Sequence, residues 1–193
     1  MKVYIKAIAY NLPEKVLTNE MIAQEFPEWT VEKIDKKIGI KQRHVTVEGE
    51  TASDLAVGAA EKLFAENNYD RSQIDYVIFI SQSPDYHLPT TACTIQTRLG
   101  LSQRITVIDV NLGCNGFVAG LSLAKAVIIA GQAKNVLLLT GETYSKYMHE
   151  RDKSNRTIFG DGAAATLVST DGIAEVGEFV IGTDGTGAEN LIV

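Results

Sequence analysis

The stretch Ile105-Thr106-Val107-Ile108-Asp109-Val110-Asn111-Leu112-Gly113-Cys114-Asn115-Gly116-Phe117, apolar and small onward to Ala130, decides the fold. Ile105 to Val110 reads as a buried strand, the next residues as a tight turn, and Gly116 to Ala130 as a helix closed by Gly131. That helix is hydrophobic nearly all round, which predicts a central place in the molecule. A strand running through a tight turn into a helix is a building unit of layered α/β folds.

Similar units lie on both sides. Tyr76 to Ile80 and Val136 to Leu139 are continuous apolar runs, as in strands covered on both faces. Thr51-Ala52-Ser53-Asp54 reads as a capping box, opening a helix with Leu55, Ala59, Leu63 and Phe64 at helical spacing and an end near Asn67-Asn68. Thr90 to Leu99, closed by Gly100, fits another helix. Val3 to Tyr10 reads as the first strand, ended by Asn11-Leu12-Pro13. Helices are predicted from Thr18 or Asn19 to about Phe26 and from Thr30 to Lys37, stopped by Gly39, with a short β segment over His44 to Val47. Ala163 to Ser169 and Glu175 to Ile181, around Asp171-Gly172, predict a C-terminal β-hairpin. The prediction is one α/β domain over residues 1–193, a layered and mostly parallel mixed sheet flanked by helices. Sites in such sheets lie at the carboxyl ends of strands, here after Ile80, Val110 and Leu139.

With 45% hydrophobic and 22% charged residues, the chain can bury a core without disulfide staples, which excludes disorder and disulfide scaffolds. A net charge of −6 argues against a nucleic-acid partner. The one dense basic stretch, Lys33 to Arg43, fits a solvated helix face or a docking patch for an acidic partner. No signal-peptide pattern opens the chain, and the apolar run from Phe117 to Ala130, broken by Lys125, is too short for a membrane span. The expectation is a soluble, reduced, cytoplasmic protein with no membrane partner.

Cys114 falls at the N-terminus of the predicted helix, where the helix dipole and free N–H groups favour a thiolate. Gly113 and Gly116 beside it permit a sharp turn and close approach of a substrate, as in a nucleophile elbow with sulfur in place of oxygen. On this local context both a catalytic thiol and a buried structural cysteine fit. Cys93, inside the Thr90–Leu99 helix, reads as a core position. His44 and His149 sit in charged surroundings and read as solvated or structural, whereas His87 follows a strand end and is better placed. No two histidines have metal-ligand spacing, so no metal is expected. Gly160-Asp161-Gly162 and the glycine-rich run from Gly182 to Gly187 fit no phosphate-binding loop and read as turns.

Five segments in order carry a resemblance. They are Leu17-Thr18-Asn19 followed by Gly39-Ile40-Lys41-Gln42-Arg43-His44; Leu88-Pro89-Thr90-Thr91-Ala92-Cys93-Thr94-Ile95-Gln96; Asp109 to Phe117; Phe159-Gly160-Asp161-Gly162-Ala163-Ala164-Ala165; and Gly182-Thr183-Asp184-Gly185. Together, over essentially the whole chain, the sequence resembles the N-terminal half of a β-ketoacyl-acyl-carrier-protein synthase III, in the thiolase-like superfamily. The resemblance implies that Cys114 accepts an acyl group from acyl-CoA or acyl carrier protein. Malonyl-acyl carrier protein then loses carbon dioxide and condenses with it, as in fatty-acid biosynthesis. It implies no cofactor beyond coenzyme A or the carrier protein's phosphopantetheine as substrate carrier, and a homodimer as the assembly. It places Asn115 and Phe117 among the substrate-binding residues beside Cys114.

The same resemblance implies that the family's catalytic His and Asn lie in a C-terminal half that this sequence lacks, handed over at Ile192-Val193. It also marks departures. The family often has a Trp six residues before the Gly-Ile turn to stack the coenzyme A adenine; Lys33 stands there, and Trp29 lies ten residues before Gly39. An arginine partner for the adenine aligns with Lys153, and the Phe that reaches into the neighbouring subunit's acyl pocket aligns with Leu88. These changes leave open an acyltransferase to a hydroxyl or amine using the same Cys114, or a non-catalytic dimerisation subunit.

Overall fold

The computed structural model describes residues 1–190; the expected handover at Ile192-Val193 lies outside them. In chain order the elements are β1 (Tyr4–Asn11), β2 (Val16–Thr18), α1 (Asn19–Glu25), α2 (Val31–Lys37), β3 (Gln42–His44), α3 (Ala52–Glu66), β4 (Tyr76–Ile80), α4 (Thr91–Arg98), β5 (Thr106–Val110), α5 (Gly116–Ile129), β6 (Val136–Glu142), α6 (Lys153–Arg156), β7 (Gly162–Ser169) and β8 (Ala174–Glu175). The helix starts follow side-chain capping: Thr18, Thr30 and Thr51 accept from the N–H groups of Met21, Lys33 and Asp54, and Asp54 completes the capping box.

A six-stranded sheet runs in the order β5-β4-β6-β7-β1-β8, and β2 pairs with β3 in a separate ribbon. The sheet is mixed, as expected, but its parallel part is only β5-β4-β6; β7, β1 and β8 join antiparallel. The expected C-terminal hairpin does not form. Both edges of β7 are occupied, by β6 and β1, so the chain turns past Gly172 and adds two residues to the far edge of β1 instead. Ile173 N–H donates to Ile5 O at 2.8 Å and Val176 N–H to Val3 O at 2.8 Å, and no strand continues to Ile181. The β segment expected over His44 to Val47 ends at His44 and pairs with β2.

Strand alternation sends side chains to two cores. Val77, Phe79, Leu137, Leu139 and Leu167 meet α3 and α4 on one face. Ile78, Ile80, Val136, Leu138 and Val168 meet α5 on the other. Neither β5 nor α5 is as enclosed as its sequence predicts. β5 is an edge strand with Thr106 and Asp109 exposed, and α5 buries one face while Phe117, Val118 and Ile129 remain exposed. Cys93, expected in the core, is exposed on α4. Arg43 is not on a solvated face: it is 2% exposed and donates to Asn19 Oδ1, Ile40 O and Thr157 O.

Gly116 and Gly120 let α5 settle on the sheet. A Cβ at Gly116 would lie 2.6 Å from Ile80 Cγ2, and one at Gly120 would lie 2.5 Å from Ile80 Cδ1 and 2.7 Å from Leu138 Cδ1. Gly120→Val should therefore overpack this seam and lower stability by about 1–3 kcal/mol, read as a fall in the urea midpoint with unchanged slope.

Tyr69 stacks on Phe64 with ring centroids 6.2 Å apart, and its buried hydroxyl has no partner among the described residues. Burial first, then the charges of Asp75, Asp171 and Asp70, pushes its phenol up to about 12. The folded value is above the usual one near 10, so its contribution to stability is complete below about pH 10 and is lost as pH rises towards about 12. Tyr69→Phe is expected to flatten that alkaline slope in denaturation curves measured at several pH values.

Candidate active site

The chain leaves β5 at Val110 and enters α5 at Gly116, and Cys114 stands on the turn between them. Leu112 N–H donates to Val110 O at 3.0 Å, and Gly116 N–H donates to Gly113 O at 2.8 Å, closing a four-residue turn over Cys114 and Asn115. Of the two turn glycines, Gly116 is required by space rather than by a left-handed backbone. Gly113 is packed against the Gln82 carboxamide, and Gly116 against Ile80. Seating α5 this closely fixes the height of the turn above the carboxyl ends of β4 and β5.

Cys114 is an exposed free thiol, so the structural alternative of a buried cysteine does not hold. Asn115 occupies the N-cap of α5, yet no side chain among the described residues caps the helix. With the Gly116 N–H taken by Gly113 O, the N–H groups of Phe117 and Val118 are left without an acceptor among the described residues, next to the turn that carries the sulfur. An exposed thiol beside open N–H donors can hold a negatively charged oxygen that forms on a group attacked by the sulfur. Phe117 and Val118, at the start of the helix, are exposed beside it and offer apolar surface.

The histidines are not gathered here. His44 Nδ1 lies 2.6 Å from Pro13 O, and His149 Nδ1 accepts from Arg151 N–H at 3.1 Å. His87 lines a cavity of about 190 Å³ with Phe79, Ser81, Tyr86, Asp109 and Asn111. Phe79 belongs to the core that faces α3 and α4, whereas α5 packs on the opposite face of the sheet. None of the three is hydrogen-bonded to Cys114 among the described residues.

Leu88, in the connection from β4 to α4, is 87% exposed. Trp29 and Lys153 come into one neighbourhood, at the loop between α1 and α2. Lys153 Nζ pairs with Glu28 Oε1 at 2.6 Å, and this hydrogen bond holds the Glu28 carboxyl below its usual range. Lys33 Nζ lies 5.2 Å from the centroid of the Trp29 ring. Both groups are therefore engaged by their own neighbours. Among the described residues, no three His, Cys, Asp or Glu side chains cluster as metal ligands.

Two residues escaped the sequence reading. Asp161, read as part of a turn, is 5% exposed and accepts from Thr46 N–H at 2.7 Å, Thr46 Oγ1 at 2.8 Å, Ser145 N–H at 2.9 Å and the Ser145 hydroxyl. It ties the segments leaving β3 and β6 to the start of β7. An aspartate flanked by glycines was the available signal. Gln82 left none, because its contact with Gly113 depends on the pairing of β4 with β5.

The family of 3-oxoacyl-[acyl-carrier-protein] synthase III matches residues 108–185, which contain the whole turn. The β-ketoacyl-[acyl-carrier-protein] synthase III of Campylobacter curvus is 38% identical across 100% of this chain and 57% of that relative. A crystal structure of a 3-oxoacyl-(acyl-carrier-protein) synthase III superposes with a TM-score of 0.96 at 52% identity, over 100% of this chain and 58% of its own. By sequence and by fold, this chain is similar to the N-terminal halves of β-ketoacyl-acyl-carrier-protein synthases III. The corresponding Burkholderia xenovorans structure agrees, with a TM-score of 0.92 at 36% identity over 100% of this chain and 55% of that one. The chain thus spans a little over half the length of the synthase III relatives it matches. Among the described residues no helix is long and apolar enough to cross a membrane.

Proposed function

We propose that this chain is the acyl-accepting half of a β-ketoacyl-acyl-carrier-protein synthase III, acting in the cytoplasm, with Cys114 as its nucleophile. The observation that carries the reading is the exposed Cys114 on a tight turn ahead of an uncapped helix, inside the segment that matches the family. The sulfur attacks the carbonyl carbon of an acyl thioester, and the negative charge moves to the carbonyl oxygen. The Cys114 main-chain N–H and the open end of α5 face that charge; one such donor is typically worth about 3 kcal/mol. Collapse breaks the donor's carbon–sulfur bond. The departing thiolate, of coenzyme A or of a carrier protein's phosphopantetheine, takes up the proton that Cys114 released. The acyl group then waits on Cys114 for the carbon nucleophile formed when malonyl-acyl carrier protein loses carbon dioxide.

That second step needs groups that stabilise the decarboxylating malonyl unit, and on this reading they come from a second half. The open apolar surface formed by Val118, Val180 and Ile181 suits such a half, because exposed apolar patches of this kind seek a cover. Asn115 and Phe117 flank the acyl group, and the free edge of β5 joins a second copy in a homodimer, with Leu88 reaching towards the neighbour's acyl site. Trp29 and Lys153 lie where the donor's far end would rest; with Lys153 held by Glu28, nucleotide recognition there is weak, and donors on a carrier protein are accepted as well.

Incubation with acetyl-CoA and with longer acyl-CoAs, followed by intact mass measurement, tests the reading. One acyl group per chain, removed by hydroxylamine as a thioester is, supports it. No adduct from any donor, either on this chain or on one extended through a second half, would overturn it.

A further inference from the structure

Gln82 lies two residues past the end of β4, on the side of the sheet that carries α5, because strand alternation continues from Ile78 and Ile80. A Cβ on Gly113 would sit 2.3 Å from Gln82 Oε1 and 3.0 Å from its Cδ, so the carboxamide touches the residue next to Cys114. The backbone there is fixed: Gln82 N–H donates to Glu142 Oε1 at 2.7 Å, and Glu142 Oε2 accepts from Ser83 Oγ at 2.7 Å. The side chain is exposed, and its carboxamide makes no hydrogen bond among the described residues. It does not brace the turn, since it bonds to nothing in it. What remains is a carboxamide on an anchored backbone, with a free donor and a free acceptor, against the residue that precedes Cys114.

We infer that Gln82 selects the acyl group carried on Cys114, favouring chains with a hydrogen-bonding substituent near the thioester, such as a hydroxyl, over plain alkyl chains of the same length. The inference rests on Cys114 being the acyl acceptor. An alkyl chain laid against the amide strips its water and returns nothing, whereas a hydroxyl replaces the lost hydrogen bond. Sites that hydrogen-bond a substrate group discriminate strongly against the analogue lacking it.

The test uses two competitions on the wild-type chain and on Gln82→Leu and Gln82→Met. The first offers equal butyryl-CoA and 3-hydroxybutyryl-CoA and reads the ratio of the two Cys114 adducts by mass. The second offers equal 2-hydroxyethyl and propyl methanethiosulfonate. There the Cys114 thiolate attacks the sulfenyl sulfur, a disulfide forms, methanesulfinate leaves, and the thiol proton passes to buffer. This second reaction needs no acyl-transfer chemistry, and the exposed Cys93 serves as internal reference. The wild type is expected to favour the hydroxylated partner by about tenfold in the first competition and about threefold in the second, and both variants to lose or reverse the preference. Equal ratios in wild type and both variants in the reagent competition would overturn the inference. A shifted ratio there, with no thioester adduct on any chain, would leave Gln82 as a selector at Cys114 and remove the acyl-acceptor reading instead.

Discussion

Cys114→Ala is expected to abolish acyl labelling of the chain, whereas Cys93→Ala is expected to leave it intact. Both cysteines are exposed, so accessibility does not separate them. Their surroundings do. Cys93 lies within the first turn of α4, where its N–H donates to Thr90 O at 3.0 Å and its carbonyl accepts from Thr97 Oγ1 at 3.4 Å. The start of α4 is also already occupied, since Thr91 N–H and Ala92 N–H donate to the Asp109 carboxylate at 2.6 and 2.8 Å. An oxyanion formed at Cys93 would find no open donors. Cys114 stands ahead of a helix whose first N–H groups have no side-chain acceptor. A single such donor is worth about a hundredfold or more in rate, so even a slow reaction at Cys93 should fall far below that at Cys114. Equal labelling of the two single variants, read by intact mass over time, would contradict this.

The second large effect is expected at Asp161. Asp161→Ala removes the acceptor for four donors at once and leaves the main-chain N–H groups of Thr46 and Ser145 unpaired. The site is almost closed to water, with Asp161 at 5% and Thr46 at 8% exposure, so water cannot readily replace the carboxylate. Each buried unpaired donor costs about 1–3 kcal/mol, giving a loss of about 3–5 kcal/mol. For a chain of this size that is a fall of about 10 °C in melting temperature. Asp161→Asn keeps the shape and one acceptor oxygen, and should lose less. A change below about 1 kcal/mol for the alanine variant in urea denaturation would show that these loops do not depend on Asp161.

Local signals carried most of the fold. The Thr51 capping box, the apolar runs of β4 and β6, and the strand–turn–helix around Cys114 are all set by residues within a few positions of one another. They were readable for that reason. What was not readable depends on pairing across the chain. Glu175 looks like the return strand of a hairpin, but β7 already has β6 and β1 on its two edges, so the segment crosses to β1. β5 has the apolar composition of a covered strand, yet it lies at the edge of the sheet. Cys93 sits in an apolar-looking helix, and only the rotation of α4, with Ala92 and Ile95 inward, turns it outward.

The site was legible to the same extent. Cys114 could be placed from Gly113, Gly116 and the following apolar run, because an exposed thiol on a tight turn needs small neighbours and those neighbours are adjacent in sequence. Gln82 and Asp161 act across the sheet and between loops, over separations of 31 and 115 residues to Gly113 and Thr46, and no spacing rule reaches that far.

The most direct measurement is the position of the acyl group after brief incubation of the wild-type chain with acetyl-CoA. Trypsin releases Cys114 in the peptide Ile105–Lys125 and Cys93 in the peptide Ser72–Arg98. The acetyl group is expected on the Ile105–Lys125 peptide alone, lost on treatment with hydroxylamine. An acetyl group found equally on both peptides, or only on the Cys93 peptide, would contradict it.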